Sequence, residues 1–215
     1  MVSLAIFYLT SLIIAISTVG FGFAFTKFLK LEKLNSNYGI IGILGLFFLS
    51  IISSYTHLVV SHNYVHNIVI IALGLLSYFI LRDKKIDDLK VLSLIFTILF
   101  ICIILAKNNE DFAHYHLQSS LHFAQQKLQF GLGNLDHGFK HISTLFFLMS
   151  LNYLPFFEYY LFNLTNFLFL FFFIIFLLQE IFYKKFDSSN FVRILLCFLL
   201  ILFLTKFSRL AEYGS

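Results

Sequence analysis

Charge is what this chain has least of: Lys, Arg, Asp and Glu make up 12% of its 215 residues, against 60% hydrophobic residues and a mean hydropathy of +0.89. A soluble domain carries about a quarter charged residues, so this chain cannot clothe a water-facing surface, and a soluble globule is excluded. Tryptophan is absent. The aromatic belt at a membrane interface therefore falls to tyrosines near segment ends, namely Tyr8, Tyr38, Tyr55, Tyr64, Tyr159, Tyr160 and Tyr183. Proline occurs once, at Pro155. With no Pro- or Ser-rich linker and no repeat of roughly 20–50 residues, residues 1–215 read as one transmembrane domain. The two cysteines, Cys102 and Cys197, both lie in apolar runs and suit packing better than a disulfide. No basic face exists outside the flanks of the apolar runs, which leaves a nucleic-acid partner without support.

The apolar runs are continuous rather than alternating, which excludes a transmembrane barrel and makes the lipid bilayer the partner of the chain. The fold expected is all-α, a polytopic transmembrane helical bundle. A span needs about 20 apolar residues, because a rise of ~1.5 Å per residue must cross ~30 Å of hydrocarbon. Six runs qualify: Leu4–Thr26, Tyr38–Val60, Tyr64–Leu81, Leu89–Ala106, Tyr159–Phe182 and Phe191–Thr205. The first is no cleavable signal, since it is too long and lacks a basic leading region. The tight link Ser61–Asn63 sets the second and third spans antiparallel. Ile142–Phe157, interrupted by Asn152 and Pro155, is expected to re-enter or lie in the interface. That choice puts Lys27, Lys30, Lys33, Arg82, Lys84, Lys85, Lys90, Lys184, Lys185 and Arg193 on the cytoplasmic side, leaving the N-terminus and the long loop outside. The assignment is an integral membrane protein. The abrupt end after Ser208–Ser215 suggests that the chain continues.

One long polar interval, Asn108–Thr144, holds five of the eight histidines: His114, His116, His122, His137 and His141. Leu117, Leu121, Ala124 and Leu128 recur at helical spacing. Asp111, His114, Gln118, His122 and Gln125 form a neighbouring polar row. An outer amphipathic helix follows, its apolar stripe on the leaflet and its carboxylate–imidazole row accessible. A carboxylate in such a row can act as a base or hold a divalent metal, with imidazoles as ligands or proton shuttles. Any solvated helix face shows the same residue types. No metal ligands are assigned: His114 and His116, two apart, point to different sides of a helix, and the i,i+4 pair His137 and His141 arises readily by chance. Cofactors stay open. Gly131–Asn134 can form a tight turn facing an anion, followed by Asp136, His137 and Lys140 as phosphate or sugar ligands. A turn returning the chain to the bilayer explains it as well. His57, His62 and His66 read as interfacial histidines with their polar tips in water, which disfavours a haem or redox metal.

Four stretches carry a resemblance: Tyr115–His116–Leu117–Gln118, Gly131–Leu132–Gly133–Asn134–Leu135, Ser143–Thr144 and Ser208–Arg209–Leu210–Ala211–Glu212–Tyr213–Gly214. Together with the tight hairpin before them, they resemble a family of uncharacterised bacterial polytopic membrane proteins associated with envelope polysaccharide synthesis. That family in turn resembles the GT-C type membrane glycosyltransferases. The resemblance implies a polyprenyl-phosphate-linked sugar donor at the outer leaflet. It implies Asp111, or Glu110, as the base activating the acceptor, supported by His114 and His116, with Asn134, Asp136, His137 and Lys140 holding phosphate or sugar. Two departures stand out: Ala113 where the family has a glycine before its Tyr-His, and Asp136 set between Asn134–Leu135 and His137–Gly138. The rival expectation is a non-enzymatic export or assembly component, favoured by the near absence of charge inside the spans.

Overall fold

The computed structural model describes residues 3–31, 34, 37–82, 87–105, 112–134, 137–140, 143–182 and 190–213. Among them the chain is helical throughout, with no strand: α1 (Leu4–Phe28), α2 (Tyr38–His57), α3 (Tyr64–Leu81), α4 (Asp87–Leu105), α5 (Leu117–Gln125), α6 (Thr144–Ser150), α7 (Leu164–Phe182) and α8 (Asn190–Tyr213). Four segments are long and apolar enough to cross a membrane: α1, α2, α3 and Tyr159–Phe182, which includes α7. The starts are set by short polar side chains. Ser3, Asn37 and Asn63 each accept from the backbone N–H three residues on, at 3.3, 3.1 and 3.0 Å, and so begin α1, α2 and α3. α1 stops where Lys30 turns left-handed (φ 58°), allowing Leu31 N–H to reach back to the Thr26 carbonyl at 2.8 Å.

α1 is the hub. It packs on both α2 and α3, which lean on it more than on each other. Glycines make the approach close: a Cβ at Gly20 would run into the Gly74 carbonyl of α3, and one at Gly45 into the Thr18 carbonyl of α1. Small residues at helix seams are what membranes favour, because lipid supplies no hydrophobic drive for helices to associate. Ser17 Oγ adds a bond across the α1–α3 seam to the Ile71 carbonyl, at 3.0 Å. Gly20→Leu should therefore destabilise the protein by at least about 1–3 kcal/mol, read as a lowered midpoint of thermal unfolding in detergent. On the far side α4 packs on α7 through Phe96, whose ring stands edge-on to Phe167 and Phe171 at 5.3 and 5.2 Å.

The segment Ile142–Phe157 does not cross as a helix. α6 has seven residues, roughly 10 Å of rise. Past it the chain turns at Leu151–Asn152, makes an isolated bridge between Leu154 and Glu158, and enters a 3₁₀ turn at Tyr159–Leu161. Ser150, Leu151, Asn152 and Leu154 are buried, so the start of this irregular stretch is enclosed by protein, while Phe156, Glu158 and Tyr160 further on are exposed.

The amphipathic helix also differs from its expected form. Phe112–His116 is a π-helical turn, and only Leu117–Gln125 is α-helical, so Leu128 lies beyond the helix. A π-helical turn bonds i to i+5, and a face counted at 3.6 residues per turn therefore misplaces the residues before it. The buried residues of α5 are Ser119, Ser120, Phe123 and Ala124, and the helix packs on α6 instead of lying free with its leucines on the leaflet. His114, Gln118 and Gln125 are exposed, as the polar row requires.

Candidate functional site

The polar loop and the α2–α3 link hold each other through backbone groups that helix ends leave over. His62 N–H donates to the Phe123 carbonyl of α5 at 2.9 Å, and Leu128 N–H lies 3.4 Å from the His57 carbonyl ending α2. The last carbonyls of a helix have no intrahelical donor, so each C-terminus is capped by the other segment. This pairing brings His122 and Phe123 over His57, His62 and His66, and Phe147 of α6 completes the enclosure.

These histidines are not interfacial groups with wet tips. His57 and His62 are 1% and 0% exposed. The Ser53 carbonyl only accepts, so the Nε2 of His62, 3.1 Å away, carries the proton. Nδ1 is then left with its lone pair, 2.6 Å from the Ser150 hydroxyl. That hydroxyl also lies 2.7 Å from the Phe147 carbonyl and donates to one or the other. Burial first, then the neighbouring His66 and His57, push the His62 imidazole down to about 3. Burial also lowers His122. Both rings are accordingly neutral at pH 7.

Asn67 pins the cluster from α3. Its Nδ2 lies within donating distance of three carbonyls, those of His62 (2.7 Å), Ser150 (2.9 Å) and Tyr153 (2.9 Å). Its Oδ1 accepts from the Nδ1 of His66 at 3.0 Å, which leaves His66 Nε2 with a lone pair. That nitrogen is buried without a hydrogen-bond partner, as are both ring nitrogens of His57, Nε2 of His122 and the hydroxyls of Ser119 and Ser120. Tyr64 donates to Tyr153 at 3.1 Å with the two rings stacked, tying α3 to the turn after α6. The site is thus an enclosed set of imidazoles and hydroxyls able to exchange hydrogen bonds, with His62 and His122 held in the neutral form by burial. It is not a chelate: the His62 and His66 rings stack at 4.8 Å and 10°, so their in-plane lone pairs cannot converge, and His62 has both nitrogens engaged. Among the described residues no group of three His, Cys, Asp or Glu is arranged to hold a metal ion.

The structure describes only part of the set singled out from sequence. Glu110, Asp111 and Asp136 fall outside the described residues. His114 is exposed, while His116 is 5% exposed with its ring 5.0 Å from Phe146. The expected glycine turn is present, with Gly131 left-handed (φ 88°) and Asn134 N–H bonded to its carbonyl at 2.9 Å. Asn134 and Lys140 are exposed, and His137 begins the 3₁₀ turn His137–Lys140. That turn packs against both Phe112–His116 and α5, with Phe139 5.4 Å from the His122 ring. The fold therefore brings the segment of His114 and His116 beside that of His137 and Lys140. Sequence reasoning missed Asn67 and Ser150. An amide within an apolar run, one residue after a histidine, was the available signal.

An open groove of about 590 Å³ adjoins the cluster between α2, α6 and α7, lined by Phe47, Ser50, Ser54, Tyr55, Leu145, Leu148 and Phe169 among others. It shares the last turns of α2 with the cluster, since Ser53, Thr56 and His57 point to the imidazoles.

The family described as a domain of unknown function, DUF8201, matches residues 1–210, and the chain belongs to it. No curated protein and no solved structure matches the chain.

Proposed function

We propose that this DUF8201 protein is a glycosyltransferase-like enzyme of envelope polysaccharide synthesis, working at the outer leaflet of the bacterial inner membrane on a polyprenyl-phosphate-linked sugar. In this reading it has six spans, α1–α4, α7 and α8, with α6 re-entrant. The spans α4 and α8 come from an apolar stretch at Leu92–Ile101 and a 24-residue helix. The observation carrying the proposal is the shared wall of α2: an apolar groove on one side and a buried imidazole cluster on the other, with the polar loop above. An isoprenoid tail in the groove would bring its phosphate to the depth of the loop, so that binding, not collision, sets the reacting distance. Asp111, with Glu110 beside it, would take the acceptor's proton. His114 and His116 would support that carboxylate, and Asn134, Asp136, His137 and Lys140 would hold phosphate or sugar.

Removing a general base lowers a rate by roughly 10²–10⁴-fold. The double substitution Glu110→Gln, Asp111→Asn should therefore abolish surface polysaccharide in a complementation assay with the full-length protein. Undiminished polysaccharide would end the transfer mechanism. Lipid-linked product that accumulates without reaching the surface would point instead to export or assembly.

A further inference from the structure

We propose a second site at the opposite end of the bundle, binding one anionic glycerophospholipid between α3 and α4. It is independent of the transfer reading. A cavity of about 100 Å³ lies there, lined by Ala15, Val19, Tyr78, Ser93, Phe96 and Phe171 among others. The Tyr78 side chain is 3% exposed, and its buried hydroxyl has no hydrogen-bond partner. A phenol placed in an apolar enclosure calls for an acceptor, and none of the described residues supplies it.

Two further observations identify the occupant. First, α3 leans on α1 while α4 leans mainly on α7 and α8, so α3 and α4 make few contacts with each other beside the cavity. Both helices also carry exposed apolar side chains, Leu76 and Ile80 on α3 and Leu94 on α4. Second, the Arg82 guanidinium sits over the rings of Tyr78 and Phe79, at 5.4 and 5.7 Å from their centroids. No ion pair to it occurs among the described residues. Arg82 follows the last residue of α3, and Tyr78 lies four residues deeper, a rise of about 6 Å. Guanidinium, hydroxyl and apolar cavity thus succeed one another along the helix. A glycerophospholipid presents the complementary series: a phosphodiester at headgroup depth, an ester carbonyl beneath it to accept from Tyr78, and an acyl chain whose first methylenes enter the cavity that Tyr78 lines. A net negative headgroup complements Arg82 and the nearby Lys27, Lys30 and Lys90. Free phosphate would match only the first of the three elements.

Native mass spectrometry of the full chain, released from nanodiscs of equal phosphatidylglycerol and phosphatidylcholine, tests this. One retained phosphatidylglycerol per chain is expected, favoured several-fold over phosphatidylcholine and not displaced by excess inorganic phosphate. Ala15→Leu, which fills the cavity, should abolish retention, and Tyr78→Phe should weaken it several-fold. Arg82→Gln lies at the rim and leaves the packing intact, so it decides the matter even if Ala15→Leu misfolds: it should erase the headgroup preference. Equal retention of both lipids by the parent chain, an unaltered preference in Arg82→Gln, or undiminished retention in a folded Ala15→Leu protein would each overturn the proposal.

Discussion

Asn67→Leu is expected to cost about 3–5 kcal/mol, the largest loss from any single substitution at the end of the bundle where α2 and α3 join. Leucine matches asparagine closely in size, so the loss comes from hydrogen bonding and not from a cavity. Asn67 is 0% exposed, and its amide serves the carbonyls of His62, Ser150 and Tyr153. Each buried carbonyl deprived of its donor costs roughly 1–3 kcal/mol, and two amide protons divided among three acceptors keep the sum below the full triple. The link, the end of α6 and the turn beyond it are bound through this one side chain. The substitution should therefore lower the unfolding midpoint in detergent and expose the segment between α5 and α6 to protease. A loss under about 1 kcal/mol would mean that apolar packing alone docks α6.

The second large effect is acid sensitivity. The His62 imidazole is held down to about 3 in the folded protein against an ordinary value of 6.5. Between these values the unfolded chain binds a proton that the folded chain refuses, so stability is complete above about pH 6.5 and falls as the pH drops towards 3. His122 is shifted in the same direction by burial and adds to the slope. Because His62 is fully enclosed, the loss should reach several kcal/mol at the acid end. Unfolding followed by fluorescence or helical signal between pH 7 and 4 measures it. His62→Gln keeps a donor and an acceptor but cannot be protonated, so its stability should fall less steeply over that range. Parallel pH profiles for the two proteins would assign the effect to other groups.

Much of the bundle was legible in sequence because its determinants are local. The third span was expected at Tyr64–Leu81 and is found there, bounded by the Asn63 cap and by Arg82. The break in the apolar run after α6 was legible too, from Asn152 and Pro155. The histidine site was not. His57, His62 and His66 look like interfacial residues in any window of sequence, and their burial depends on contacts from residue 62 to residues 123 and 150. The π-helical turn at Phe112–His116 was equally hidden, and it turns His116 inward while His114 stays exposed. Of the loop residues proposed for chemistry, His114, Asn134 and Lys140 are exposed and His116 is buried.

The account depends above all on the polar loop facing out of the cell and roofing the buried imidazoles. Gln126, exposed at the end of α5, reports on this directly. With Cys102 and Cys197 replaced by serine, a single cysteine at position 126 should react with a membrane-impermeant maleimide added to intact spheroplasts. Labelling only after the cytoplasmic face is opened would contradict the orientation, and the outer-leaflet chemistry with it.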